Sequence, residues 1–188
     1  LFLQSCDNDD DTVIPPVTNN IVDIAQSSED FTSLVAALQK ANLVTTLQTQ
    51  GPFTVLAPTN AAFSTFLLDN GFGSLDEVPV DVLTNILLNH VVGGRLASTD
   101  LTTGYASTFA TSSASNASMS IFIDTSNGVR FNGVSSVTTA DISADNGIVH
   151  VVDAVIGLPT IATFATSNNA LSILVDALVY ADSGSPTV

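Results

Sequence analysis

Residues 51–63 read Gly51-Pro-Phe-Thr-Val-Leu-Ala-Pro-Thr-Asn-Ala-Ala-Phe63, and this stretch decides the fold. Its uninterrupted apolar run from Phe53 to Ala57 predicts a buried strand. Pro58 breaks the run, and Thr59 or Asn60 can then accept hydrogen bonds from the first free N–H groups of a helix. The stretch therefore predicts a strand that passes into a helix with only a short cap between them.

A second apolar segment lies at residues 146–159 and reads Asn146-Gly-Ile-Val-His-Val-Val-Asp-Ala-Val-Ile-Gly-Leu-Pro159. It predicts a long buried strand that ends before Gly157 and Pro159. Because successive side chains of a strand point to opposite faces, His150 is expected on the face opposite to that of its two valine neighbours.

Together these two segments resemble the signature motifs that open and close a fasciclin-like domain. Between them, Leu87-Leu-Asn-His-Val-Val92 matches the position of a Tyr-His pair in that family, with Asn89 in place of the tyrosine. The resemblance covers residues 19–159 and implies an α+β domain whose N-terminal helices pack on a β-rich wedge or sandwich. It also implies an extracellular adhesion or matrix-binding module rather than an enzyme, and a buried His90 near the first signature.

Helices are predicted in the first half of this domain. Apolar residues about 3.6 positions apart indicate two helices within residues 19–41, broken near Ser27-Ser28. A third follows the first signature, over Asn60–Leu68, and Asp81 is expected to cap a fourth over Val82–Val91.

Strands are predicted in the second half. From Gly93 onward Thr, Ser, Val and Ile dominate, and Gly and Asn mark the turns. The expected strands are Arg95–Ser98, Tyr105–Phe109, Ser118–Asp124, Val129–Phe131, Val134–Ala140 and Ile148–Ile156. Helices followed by strands agree with the α+β class that the resemblance implies.

The C-terminal residues 160–188 repeat the start of the domain. Ile161–Ala181 aligns with Ile21–Ala41, and Gly184-Ser-Pro-Thr-Val188 then resembles the opening of the first signature. We therefore predict that residues 160–188 are the truncated start of a second, tandem fasciclin-like domain.

Residues 1–18 are predicted to be a signal-peptide remnant followed by an acidic tether. Leu1-Phe-Leu-Gln-Ser5 followed by Cys6 resembles the end of a bacterial lipoprotein signal peptide, after which the cysteine carries the lipid. Cys6 is thus the lipidation candidate, and it implies a lipid-anchored protein at the cell surface or outer membrane. The alternative is a free thiol in a solvated tail.

The charge of the chain excludes some classes of partner. Three basic residues stand against eighteen acidic ones, for a net charge of −15. Nucleic acid is excluded because binding to phosphates needs Lys and Arg, and the same deficit leaves membrane contact only through a lipid at Cys6. A basic partner or a cation is permitted, although an acidic surface also simply keeps an exported protein soluble.

The sequence offers no pattern that is typical of catalysis, cofactor binding or a metal site. His90 and His150 are the only histidines, too few to form a zinc site with Cys6. The acidic run at residues 7–11 lacks the glycine and terminal glutamate of a calcium loop. Nucleophile-elbow, dinucleotide and phosphate-loop motifs are not found in the sequence. No catalytic residue, cofactor or metal is therefore predicted.

Two functions remain open from the sequence. The favoured one is an extracellular adhesion or matrix-binding module that makes non-covalent, multivalent contact with a surface protein or polysaccharide. The alternative is a structural spacer or scaffold domain in a surface lipoprotein.

Overall fold

The computed structural model describes residues 19–49, 51–112 and 115–182, and the helices of this part lie mostly before its strands. The helices are α1 (Ile21–Ser27), α2 (Thr32–Lys40), α3 (Val44–Thr49), α4 (Asn60–Asp69), α5 (Val80–Asn89), α6 (Ile161–Ser167) and α7 (Ser172–Asp182). The strands are β1 (Phe53–Pro58), β2 (Val91–Gly93), β3 (Gly104–Thr111), β4 (Ser118–Asp124), β5 (Arg130–Phe131), β6 (Ser135–Ala144) and β7 (Gly147–Val152).

The strands form a closed barrel in sequence order, from β1 to β7. Each consecutive pair is antiparallel, and β1 then pairs in parallel with β7, from Phe53 opposite Gly147 to Pro58 opposite Val152. The predicted α+β class is confirmed. The β-rich half, expected as a wedge or sandwich, is closed because the two signature segments join its edges.

Two hydrophobic cores lie on either side of the β1–β7 pair. Val55 and Val149 face the helices, in a core that includes residues of α1, α2, α4 and α5. Leu56 and Val152 face the barrel interior, together with Ile121 and Phe131. All six residues of each strand are buried, which explains why both segments are apolar without alternation.

Asn146, at the start of the second signature, connects three elements. Its Oδ1 accepts the Ile21 N–H at 3.0 Å, and its Nδ2 donates to the Leu47 carbonyl at 2.5 Å. Its own carbonyl accepts the Phe53 N–H at 3.1 Å. One polar residue therefore ties the start of α1, the helix α3 and the start of β1 to the turn before β7.

The predicted strand Arg95–Ser98 is wrong, because distant side chains take the place of a strand partner. The Leu96 N–H donates to Thr54 Oγ1 at 2.9 Å, and the Ser98 N–H donates to Asp141 Oδ1 at 2.7 Å. The strand of this region is instead the shorter β2, immediately after α5.

The predicted limits of α5 and β7 are also corrected. Helix α5 starts at Val80 after Pro79, so that Asp81 lies in its first turn rather than at the N-cap, and it ends at Asn89. Strand β7 ends at Val152 and not at Ile156, because side chains bind the backbone beyond it.

The C-terminal helices repeat the order seen at the N-terminus of the domain. A 3-10 turn, Asn169–Leu171, separates α6 from α7, as Glu29–Phe31 separates α1 from α2. The second domain itself remains a prediction. Cys6 and the predicted tether lie outside the described residues. Within those residues, no helix has both the length and the apolar character needed to cross a membrane.

Candidate functional site

His90 is buried at the end of α5, where it joins this helix to the chain after β7. Its Nδ1 lies 2.8 Å from the Ile86 carbonyl, and its Nε2 accepts the Ile156 N–H at 2.9 Å. Because Nε2 accepts a hydrogen bond, the proton of the neutral ring is on Nδ1, which donates to Ile86. Burial lowers the pKa of His90 to about 4, against a smaller opposite effect of the bond to Ile86. The imidazole is therefore neutral at pH 7.

Asn89 binds the same segment as His90. It is fully buried, and its Nδ2 donates to the carbonyls of Ile156 at 3.3 Å and Gly157 at 3.0 Å. Its Oδ1 accepts the Thr108 hydroxyl at 3.2 Å. The pair at residues 89–90 thus acts as a clamp on the end of the second signature, and its polar atoms face the protein rather than a ligand.

Thr59 and Asn60 bind two different helices. Thr59 is the N-cap of α4, and its Oγ1 accepts the Ala62 N–H at 3.3 Å. Asn60, predicted to cap the same helix, instead accepts the Ser33 N–H at 2.8 Å and donates to the Glu29 carbonyl at 2.7 Å. Asn60 binds there because the N-cap of α2 is a phenylalanine, whose side chain cannot accept a hydrogen bond from the first free N–H groups of this helix.

His150 lies on β7 and is fully buried. Its Nδ1 accepts the Asp141 N–H at 3.2 Å, so its Nε2 donates to the Leu96 carbonyl at 3.0 Å. Backbone groups thus occupy both nitrogens. Among the described residues, no three His, Cys, Asp or Glu side chains come together in a way that could hold a metal ion.

Ser98, Asp141 and His150 are neighbours, but they do not form a catalytic triad. The Ser98 hydroxyl donates to Asp141 Oδ2 at 2.5 Å and not to the imidazole. The hydrogen bonds from Ser98 lower the pKa of Asp141. Because both imidazole nitrogens are engaged with the backbone, His150 cannot take a proton from the hydroxyl. The cluster ties the loop after β2 to β6.

The three basic residues of the chain all bind backbone carbonyls. Lys40 Nζ donates to Leu75, Asp76 and Val78 at 2.8–2.9 Å. Arg95 donates to Ala144 at 3.0 Å, and Arg130 donates to Gly133 at 2.7 Å. The few cations therefore stabilise loops and strand ends.

An open groove of about 450 Å³ lies between α4, the turn after β5 and the chain after β7. Its lining combines apolar and polar side chains, among them Thr65, Phe66, Asp69, Asn132, Val134, Asp153, Val155, Ile156, Leu158 and Thr163. Val134 and Leu158 are partly exposed, at 58% and 36%. The volume is within the range of about 300–1,000 Å³ that is usual for sites of small ligands.

Asn132 is the unusual residue in the wall of this groove. It is only 3% exposed, and it adopts a left-handed backbone with φ 49°. Its N–H and its Oδ1 bind the carbonyl and the N–H of Phe122, each at 2.8 Å. These bonds fix the amide orientation, and they leave Nδ2 as a buried donor with no acceptor within the described residues.

The groove was not predicted from the sequence. The pair Asn132-Gly133 indicated only a tight turn, and apart from Val134 the other lining residues are distant in the chain. A local signal does exist, since asparagine tolerates a left-handed backbone, but it does not show where the side chain points.

Comparisons with known proteins agree with this geometry. The model of the Fasciclin domain family matches residues 29–159. The uncharacterized protein sll1735 of Synechocystis sp. is 42% identical over 137 residues, which are 73% of this chain and 96% of that protein. Transforming growth factor-beta-induced protein ig-h3 of Oryctolagus cuniculus is 30% identical over 146 residues, 76% of this chain and 20% of that protein.

A solved structure has a similar fold. It is that of a FAS1 domain pair from the insect cell adhesion molecule Fasciclin I, with a TM-score of 0.53 and 21% sequence identity. The similarity covers 76% of this chain and 50% of the solved one.

Proposed function

The chain belongs to the fasciclin domain family, and we propose that it is an extracellular adhesion or matrix-binding module that contacts a surface protein or polysaccharide non-covalently. The observation that carries the proposal is the family match itself, which runs from the turn before α2 to the end of the second signature. Fasciclin domains are found in adhesion and matrix proteins, and family members are typically secreted or extracellular.

The polar interior of the domain supports a role without catalysis. His90 and His150, the two residues best suited to general acid or base chemistry, have both ring nitrogens bound to backbone groups. In the neutral form they can stabilise the fold, but neither presents a lone pair or a proton to a substrate.

We extend the proposal to a second copy that starts at residue 160. Thr160 and Thr163 form a capping box at α6, as Asn20 and Asp23 do at α1. Ile161 is 83% exposed, whereas its counterpart in the first copy, Ile21, is 3% exposed. A second domain that continued from α7 would bury this side chain, and two linked copies would bind an array of ligands with higher avidity.

Anchoring through a lipid at Cys6 completes the proposal. A lipid chain followed by an acidic spacer would hold the domain at the cell surface, at a distance from the anionic bilayer. The net charge of −15 supports this arrangement, because it disfavours direct contact with anionic headgroups.

Adhesion of protein-coated beads tests this function. The full chain is attached through Cys6 to beads at increasing density, and retention is measured under flow on surfaces coated with single matrix proteins or polysaccharides. We expect one coating to retain the beads with a steep dependence on density, and the soluble monomer to bind the same coating weakly. A spacer domain would give no retention at any density. Equal apparent affinity of monomer and bead would contradict the multivalent mechanism.

A further inference from the structure

Helix α6 packs against the barrel of the first copy. We infer that Tyr105, Phe122 and Gly133 form a docking site for the first helix of the copy that follows residue 159, so that a short rigid joint connects the two copies. This inference rests on the proposed function, because it takes α6 as the counterpart of α1. It deepens that function by naming the surface through which successive copies meet.

Tyr105 on β3 makes the main contact with α6. Its ring meets the ring of Phe164 edge-on, with 5.5 Å between the centroids, and it lies 5.1 Å from the ring of Phe122 in β4. Its hydroxyl accepts a hydrogen bond from Asn168 Nδ2 at 3.3 Å, directly after the end of α6. Edge-to-face rings at this separation attract each other in addition to the apolar surface that they bury. Tyr105 therefore holds both the middle and the C-terminal end of α6.

Gly133 allows α6 to come close to the turn after β5. A Cβ atom at this position would lie 3.1 Å from Ser167 Cβ and 3.3 Å from Ser167 Cα, which is closer than side chains normally pack. The last residue of α6 thus lies directly against this turn. The barrel therefore contacts the helix at two places, on β3 and at the turn.

The chain that leads into α6 is held as well. Asn89 Nδ2 donates to the Gly157 carbonyl at 3.0 Å. Two residues, Leu158 and Pro159, then precede Thr160, which is the N-cap of α6. Proline has a fixed φ and also restricts the backbone of the residue before it. The connection between the clamp and α6 is therefore short and stiff.

The docked position leaves the core face of α6 free for a second copy. Ile161 and Ala162 are exposed on α6. Their counterparts in α1, Ile21 and Val22, are buried in the core of the first copy. The residues that dock on the barrel correspond instead to half-buried or exposed positions of the first copy, namely Phe164 to Ile24, Ser167 to Ser27 and Asn168 to Ser28. One helix can thus contact the first copy and still contribute to the core of the second.

The test follows the mobility of α6 in the full chain. A helix of seven residues is not stable by itself in water, so the order of α6 reports on the contacts that hold it. Backbone 15N relaxation gives order parameters for α6 and, for comparison, for β1 and β7. We expect values of about 0.85 in all three elements, as is usual for a rigid backbone. Residual dipolar couplings of α6 and of the barrel should fit one common alignment.

Three variants and one control assign the order of α6 to the docking site. Phe164→Ala and Tyr105→Ala each remove one ring of the contact, and the order parameters of α6 should fall below about 0.6. Tyr105→Phe loses only the hydroxyl bonded to Asn168, so the loss of order should be confined to the end of the helix. Phe109→Ala is the matched control, because Phe109 is an exposed aromatic residue of the same strand whose ring packs on Phe53. This variant should leave α6 as rigid as in the original chain.

The possible results separate this inference from the proposed function. A mobile α6 in the original chain refutes the docking site, and so does a control variant that loosens α6 as much as Phe164→Ala does. Loss of order in α6 after Phe164→Ala, with β1 and β7 unchanged, supports it; this change lies outside the barrel and remains informative even if Tyr105→Ala does not fold. Retention of the coated beads under flow is measured independently. Beads retained despite a mobile α6 would refute the rigid joint alone, whereas a rigid α6 with no retention on any coating would refute adhesion alone.

Discussion

Replacement of His90 by alanine tests the clamp at the end of α5. The change removes two hydrogen bonds, from Nδ1 to the Ile86 carbonyl and from the Ile156 N–H to Nε2, both with lengths below 3 Å. It leaves the buried Ile156 N–H without an acceptor, which costs about 1–3 kcal/mol, and it opens a cavity where the ring was. We expect the free energy of unfolding to fall by about 3–5 kcal/mol in total.

His90→Gln is the matched control for the hydrogen bond to Ile156. A glutamine oxygen can take the place of Nε2 and accept the Ile156 N–H, while most of the buried volume is kept. The loss should then be about 1–3 kcal/mol, from the missing donor to Ile86 and imperfect packing. Urea unfolding followed by circular dichroism gives both values from the midpoints, provided that the slope with urea is unchanged.

The same residue predicts a pH dependence whose sign follows from its pKa. In the folded protein the pKa of His90 is about 4, whereas the ordinary value is 6.5. Between these values the unfolded chain binds a proton that the folded chain does not, so stability is full above pH 6.5 and is lost as the pH falls toward 4. At about 1.36 kcal/mol per pKa unit, His90 contributes about 3 kcal/mol to this loss.

A midpoint for His90→Ala equal to that of the original chain would refute the clamp. Equal losses of stability in the alanine and glutamine variants would refute it as well, because the acceptor for the Ile156 N–H would then contribute nothing to stability. For the pH dependence, the comparison is the slope of stability between pH 4 and 6.5. An identical slope in the original chain and in His90→Gln would show that His90 does not titrate as its burial requires.

Three further predictions concern Cys6, the two cap residues and the charge of the chain. Cys6→Ser should abolish incorporation of a fatty-acid analogue in the native host, and unchanged labelling would exclude lipidation at this residue. Thr59→Ala should lower the free energy of unfolding in urea by about 1 kcal/mol. Asn60→Ala should lower it by about 2 kcal/mol, because the Ser33 N–H and the Glu29 carbonyl both lose their hydrogen-bond partner. A larger loss for Thr59→Ala than for Asn60→Ala would contradict the contact between α4 and α2. Fluorescence anisotropy should detect no binding to a labelled DNA duplex at physiological salt, and a saturable signal would refute the charge argument.

The parts of the fold that were predicted correctly are those that a short segment determines by itself. Strand β1 is buried on both faces, so its apolar run needs no alternation to be recognised. The start of α4 combines Pro58 with a capping threonine, and both signals act within four residues. Such segments carry their structural information locally.

The errors fall where a side chain far away in the sequence determines the backbone. Residues 95–98 have the composition of a strand, but Thr54 and Asp141 bind their N–H groups from 42 and 43 positions away. The end of β7 was placed too late for the same reason, since His90 binds the Ile156 N–H across 66 positions. Composition cannot show these partners, because each bond joins segments that only the folded chain brings together.

Asn132 combines both situations in one residue. Its left-handed backbone is a local property, and the Asn-Gly pair correctly indicated a turn at this point of the chain. Its side-chain Oδ1, however, accepts the Phe122 N–H of β4, and its backbone N–H donates to the Phe122 carbonyl, so Asn132 extends the strand pairing there. This second role fixes Oδ1, and it leaves Nδ2 buried without an acceptor within the described residues. A glycine would make the same turn but would leave the Phe122 N–H without its acceptor, so the turn alone does not explain the asparagine at this position.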